Sequence, residues 1–172
     1  MGVLGAFILL IFTVGLVYLY SAQSSPSGKR SIKNLGNSVV INFDESDIPH
    51  IKANNQADAL FALGYLHATE RSWQLEMDRR IASGRLSEIL GSETVNSETV
   101  NIDRFIRTLG IKCAAEQQFD KYPVVAKRLL QSYADGINAS NAHLGWALPV
   151  EYFLTGSKLV IGHQQTVSLG CS

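Results

Sequence analysis

The 172-residue chain has no excess of charge of either sign, 15 Lys and Arg standing against 15 Asp and Glu. A nucleic-acid-binding surface needs a positive excess to neutralise phosphates, so no polyanion partner is written into the sequence. Cysteine is scarce. Cys113 and Cys171 lack the paired spacing of a zinc site and are too few for a disulfide framework, so neither metal binding nor a cross-linked scaffold follows from them. Proline is absent from Asn55 to Leu90, where Gly64 and Gly84 are the only glycines. Ser83 and Ser87 sit in no G-x-S-x-G elbow and have no assignable His or Asp partner, so a Ser-His-Asp triad is unsupported.

Charge is also missing from residues 3–20, VLGAFILLIFTVGLVYLY, which are followed by the polar run SAQSSPSGKR. These 18 apolar residues lie at the lower edge of what spans a hydrocarbon core of about 30 Å and exceed the usual apolar stretch of a cleavable signal. Export is the expectation, with signal peptide and retained anchor both open. Lys29 and Arg30 after the segment would favour a cytoplasmic C-terminal side, but long domains translocate largely regardless of nearby charge. A buried core helix is the third alternative; it would need a partner surface for an all-round apolar stripe.

Hydrophobic residues make up 46% of the chain, enough for one sizeable core once this block is set aside. The expected organisation is a signal or anchor over 1–22, a linker over 23–37, and a folded body over 38–158. The run from Val39 to Phe43, the Asp44–Asp47 turn and Ile48-Pro49-His50-Ile51 read as a β-hairpin or two short strands. Asn55 to Leu90 carries Phe61, Tyr65, Ala68 and Leu75 at helical spacing and reads as helix, broken near Gly84. Further helices are expected from Arg104 to Gln118 and after Pro123, where Val125, Leu129, Tyr133 and Ile137 recur at i, i+4 steps. An immediate repeat, Ser92-Glu93-Thr94-Val95-Asn96 then Ser97-Glu98-Thr99-Val100-Asn101, is far shorter than a solenoid period and reads as a duplicated loop without function.

Other singled-out residues have structural explanations. Arg71, Arg79 and Arg80 with Glu70, Glu76 and Asp78 fall at ion-pair spacings on a partly solvated helix face. His67 and Glu70 are spaced as a metal pair, but no further Glu or His shows the complementary spacing. The Asn138-Ala139-Ser140 sequon falls inside a helix.

Three stretches, in order, carry a resemblance. Val39 to Ala53 reads VVINFDESDIPHIKA; Phe61 to Gly91 reads FALGYLHATERSWQLEMDRRIASGRLSEILG; Tyr133-Ala134-Asp135-Gly136-Ile137-Asn138 is followed by Leu148-Pro149-Val150-Glu151-Tyr152-Phe153. Together they resemble the start of the α-subunit of penicillin acylases, members of the N-terminal-nucleophile hydrolases. Two departures are mild: Asp47 stands where the family usually has Gly, and Glu70 where it has Asp. Asp is among the few residues that tolerate a positive φ, so the turn can survive.

The resemblance implies an α+β fold: a mainly helical α-subunit part of an αββα Ntn-hydrolase, with a short N-terminal hairpin and a preceding export segment. It implies a precursor that excises a spacer, leaving a serine whose own α-amino group, with a pKa of about 7.7–8.0, serves as base. The nucleophile and oxyanion donors belong to the family's β-subunit, and the calcium-binding glutamate and acyl-pocket residues lie beyond residue 158. The expectation is therefore no catalytic, cofactor or metal residue in this chain, and a hydrolase of linear acyl amides only together with that β-subunit, calcium being a property of the complete enzyme. β-Lactam side chains and N-acyl homoserine lactones are both substrates within the family. The alternative is a membrane-tethered helical interaction module without catalysis.

Two further expectations concern stability and the tail. Phe61, Tyr65, Trp73 and Met77 are candidates for an apolar stripe that would leave isolated residues 38–158 marginally stable. After Gly156-Ser157-Lys158 the family pattern would continue Trp-x-Pro-x-Asp-Ser, which LVIGHQQTVSLGCS does not. Permitted codons for these residues, read two nucleotides later, yield such a pattern. Residues 159–172 are accordingly expected to be an out-of-frame tail without structure of their own.

Overall fold

The computed structural model describes residues 2–21, 28–33, 35–90, 96–144 and 148–157. The first copy of the five-residue repeat up to Val95, and the tail from Lys158, lie outside the described residues.

The apolar run is helix α1, Gly2–Ser21, and its described side chains, among them Leu9, Phe12 and Val17 at 69%, 65% and 63% exposure, are not covered by the body. Among the described residues nothing supplies the partner surface that the buried-core alternative needs. Among the described residues no helix is long and apolar enough to cross a membrane, and export is carried forward as a proposal.

Strands β1, Val40–Phe43, and β2, Pro49–Lys52, form an antiparallel hairpin in the register Val40↔Lys52 to Phe43↔Pro49. Period-2 alternation places Ile41, Phe43 and Ile51 on the half-buried side and Val40, Asn42 and His50 outside. The Asp44 carboxylate builds the turn, accepting from Ser46 N–H at 2.9 Å and Ile48 N–H at 3.0 Å. Asp47 adopts φ 58°, the left-handed conformation its glycine-like position calls for.

Helix α2, Gln56–Ala82, starts at Asn55, whose side chain accepts from Asp58 N–H, as an N-cap residue should. It kinks at Arg71, where φ and ψ are −143° and 40°. After the Gly84 break expected from the sequence come α3, Ser87–Leu90, and α4, Asn96–Leu109. Gly110 then separates α5, Ile111–Asp120, and α6, Val124–Leu144, follows Pro123; α7 is Val150–Thr155. Two expectations change here. The second copy of the repeat is helical, because Thr99 and Asp103 have a docking surface to pack on, and the helix expected over 104–118 is two helices.

The core is the crossing of α2 over α6. Phe61, Ala62, Tyr65, Leu66 and Ala68 are at most 8% exposed, and Thr69 Oγ1 meets Ser140 Oγ at 2.7 Å. The helices approach so closely that a Cβ on Gly64 would stand 2.1 Å from the Tyr133 carbonyl oxygen, and one on Gly136 2.0 Å from that of Phe61. Phe61 and Tyr65 are therefore interior, contrary to the expected exposed stripe. Met77 is half-buried and Trp73 packs edge-on against Tyr152, centroids 5.1 Å apart. Beyond α1, the exposed large apolar side chains include several on α4, the start of α6, and α7.

Candidate functional site

The residues that carry the family resemblance converge on α2 and its C-terminal turn, where most have an architectural partner. Gly64 admits α6. The Tyr65 hydroxyl accepts a hydrogen bond from Arg30 at 2.9 Å, holding the segment before the hairpin against the body. That segment is pinned a second time: Asp58 accepts from Gly36 N–H, Asn37 N–H and both the Asn37 and Asn55 amides, at 2.7–3.1 Å. The Asn37 amide first, then Asn55 and the two backbone donors, hold the Asp58 carboxyl below its ordinary value against the opposing effect of burial. The stretch expected as linker thus ends in residues packed onto α2.

At the other end of α2, Glu76 and Arg80 are 6% and 8% exposed, so this pair is interior, while Glu70, Arg71 and Asp78 are exposed and Arg79 is half-buried, as on a partly solvated face. Glu76 Oε1 takes Arg79 Nη2 at 2.8 Å and Arg80 Nε at 2.7 Å, and Arg80 Nη1 reaches Glu88 at 2.9 Å. Burial pushes the Glu76 carboxyl up, but hydrogen bonds from Arg79 and Arg80 outweigh it and the net shift is downward. Arg85 closes on Glu88 at 2.7 Å, tying the turn to α3. Gly84, at φ 61°, presses against α4, a Cβ there standing 2.6 Å from the Asp103 carbonyl oxygen. Tyr152 of α7 donates to the Ser72 carbonyl at 3.2 Å, supplying a partner beside the Arg71 kink; burial raises its phenol to about 12.

The serines and histidine weighed for chemistry are engaged likewise. Ser83 Oγ donates to Arg79 O at 2.6 Å and Ser87 Oγ to the Asp103 carboxylate at 2.6 Å. His67 Nδ1 lies 2.9 Å from the Tyr133 hydroxyl across the α2–α6 seam. Ser140 of the sequon is 1% exposed. Among the described residues no three His, Cys, Asp or Glu side chains come together as a metal site would require.

One cavity, of about 420 Å³, lies between the segment preceding the hairpin, the hairpin and α2. Ile32, Leu35, Ile41 and Phe61 wall it, with Arg30 and Glu70 among its polar lining. Glu70, paired with His67 by spacing, thus faces a different space from the His67–Tyr133 contact. Nothing in the sequence marks this cavity, since residues 28–35 carry no periodicity.

Comparison with known proteins agrees with this architecture. The family model described as penicillin amidase matches residues 38–166, running past Lys158, where the quoted motifs end. The chain is 39% identical over 140 residues to penicillin acylase 2 proenzyme of Pseudomonas sp. strain SE83, covering 81% of this chain and 17% of that protein. It is 36% identical over 137 residues to the acyl-homoserine lactone acylase QuiP of Pseudomonas aeruginosa, covering 78% of this chain and 16% of that protein. A thermostable penicillin G acylase from Alcaligenes faecalis has a similar fold, with a TM-score of 0.66 at 24% identity over 73% of this chain and 65% of that one. The chain thus spans about a sixth of the length of these curated relatives. On the family match and these identities, the chain belongs to the penicillin amidase family.

Proposed function

We propose that this chain is the helical scaffold region of an exported penicillin-acylase-type amidohydrolase that cleaves linear acyl amides, with the catalytic machinery supplied by polypeptide outside these residues. The observation that carries the proposal is the family match over residues 38–166 combined with what the matched side chains do. Gly64, Tyr65, Arg79, Arg80, Arg85 and Ser87 each serve packing, capping or ion pairing. The relatives are named for penicillins and acyl-homoserine lactones, and a linear acyl amide is what those substrates share. In this proposal the serine nucleophile and its α-amino base lie in a second subunit, and the role of the present residues is to hold the framework on which that subunit folds.

Nucleotide sequence tests the proposal. The DNA beyond the family-matched residues is expected to continue, in this frame or a neighbouring one, as an open frame running to a Ser-Asn-Asn-like segment. Unrelated sequence and stops in every frame would count against it.

Export is proposed from residues 3–20, an uncharged apolar run that the structure makes helical. A fusion of this N-terminus to a reporter active only outside the cytoplasm should be active. A reporter that is synthesised and stays silent would refute export.

A further inference from the structure

Helix α4 is docked by its polar side. Asp103, 3% exposed, accepts from Leu86 N–H and Ser87 N–H at 2.8 Å each and from Ser87 Oγ at 2.6 Å. Thr99, one turn earlier, is 5% exposed, and Arg107, one turn later, donates to the Gly84 carbonyl at 2.7 Å. The row Thr99–Asp103–Arg107 is therefore the face that meets the α2–α3 turn. The apolar row points elsewhere: Ile102, Phe105 and Leu109, at i, i+3 and i+7, are 44%, 61% and 54% exposed. At about 100° per residue, the centre of this stripe is rotated roughly a quarter turn or more from Asp103. An amphipathic helix normally buries its apolar stripe and solvates its polar one. Here the polar row is fixed by hydrogen bonds, so α4 cannot roll to hide the stripe without breaking them.

We infer that the Ile102–Phe105–Leu109 stripe is the seam on which the remainder of a penicillin-acylase-type precursor packs. The inference rests on the proposed function and names the surface through which that scaffold works. The occupant is argued from length: α4 lies inside the family-matched region, while the chain accounts for 17% of the proenzyme it resembles. The rest of such a precursor supplies a covering surface in every molecule, which neither a second copy nor a lipid surface is required to do. The seam replaces the Phe61–Tyr65 stripe expected from sequence, whose two side chains are buried within the chain itself.

The test uses the full 172-residue chain. Tagged chain is co-expressed with the part of the Pseudomonas sp. SE83 proenzyme that this chain does not match, and the co-purified proenzyme part is measured. Wild type should retain it, Phe105→Asp should reduce the yield roughly tenfold or more, and Arg104→Ala, exposed on the side of α4 away from the stripe, should behave as wild type. Thermal melts identical to wild type verify that both variants fold, as expected for exposed positions. Equal yields from wild type and Phe105→Asp overturn the seam. So does a Phe105→Asp effect confined to self-association of the chain or to its binding of anionic vesicles. A wild-type chain that fails to retain the proenzyme part refutes the proposed scaffold function itself, and the seam with it.

Discussion

Gly136→Ala should lower the stability of the folded body by about 3 kcal/mol or more, the upper end of what overpacking a core costs. Intrinsic propensity predicts the opposite sign, since alanine is favoured over glycine inside a helix by roughly 0.5–1 kcal/mol. The close approach decides which effect wins. The added Cβ would lie 2.0 Å from the Phe61 carbonyl oxygen and 2.9 Å from the Tyr65 nitrogen, both backbone atoms that cannot swing aside. Relief requires α2 and α6 to separate, which opens the packing of Phe61, Ala62, Tyr65 and Ala68. Gly64→Ala meets the Tyr133 carbonyl at 2.1 Å and should behave alike. Because either substitution pries apart the same seam, the double variant should lose less than the sum of the two. Denaturant melts with circular dichroism read all three, and a stability equal to or above wild type for either single variant would contradict the crossing geometry.

Glu76→Ala should destabilise the body by about 2–3 kcal/mol at pH 7, because breaking a buried ion pair leaves a desolvated charge behind. The stranded group is Arg80, whose side chain is 9% exposed. It keeps Glu88 at 2.9 Å, which holds the expected loss below the largest values for such pairs. The effect depends on pH with a definite sign. Glu76 ionises below its ordinary value of 4.5 in the folded chain, so its stabilisation is present above that value and fades as pH falls through the lower folded value. Asp103 contributes with the same sign. The difference in urea midpoint between wild type and Glu76→Ala should therefore be full at pH 7 and shrink in acid below about pH 4. A difference unchanged between neutral pH and pH 3 would show that packing, and not charge, is what Glu76 provides.

Much of the architecture is legible in the sequence because it is local. Asp44 and Asp47 announce the hairpin turn, Gly84 the break after α2, and Pro123 the start of α6, and each is found in that role. What the sequence hides depends on distant partners. Phe61 and Tyr65 have the spacing of an outward stripe, and the distant hairpin and the segment before it, with which both line a cavity, make them interior. Glu76 and Arg80 have the spacing of a surface ion pair, yet both are buried, with Arg79, Glu88 and Tyr152 gathered around them. The second Ser-Glu-Thr-Val-Asn copy looks like a loop because its helix is fixed by Asp103, which caps a different element. For the same reason α4 presents its apolar row outward, an arrangement no periodicity could have shown.

Amide hydrolysis tests the central claim most directly. The purified 172-residue chain is incubated with a chromogenic phenylacetyl amide and an N-acyl homoserine lactone, alone and after co-expression with the unmatched part of the Pseudomonas sp. SE83 proenzyme. The account predicts no hydrolysis by the chain alone and hydrolysis by the reconstituted pair above that of the proenzyme part on its own. Hydrolysis of either substrate by the chain alone would contradict it.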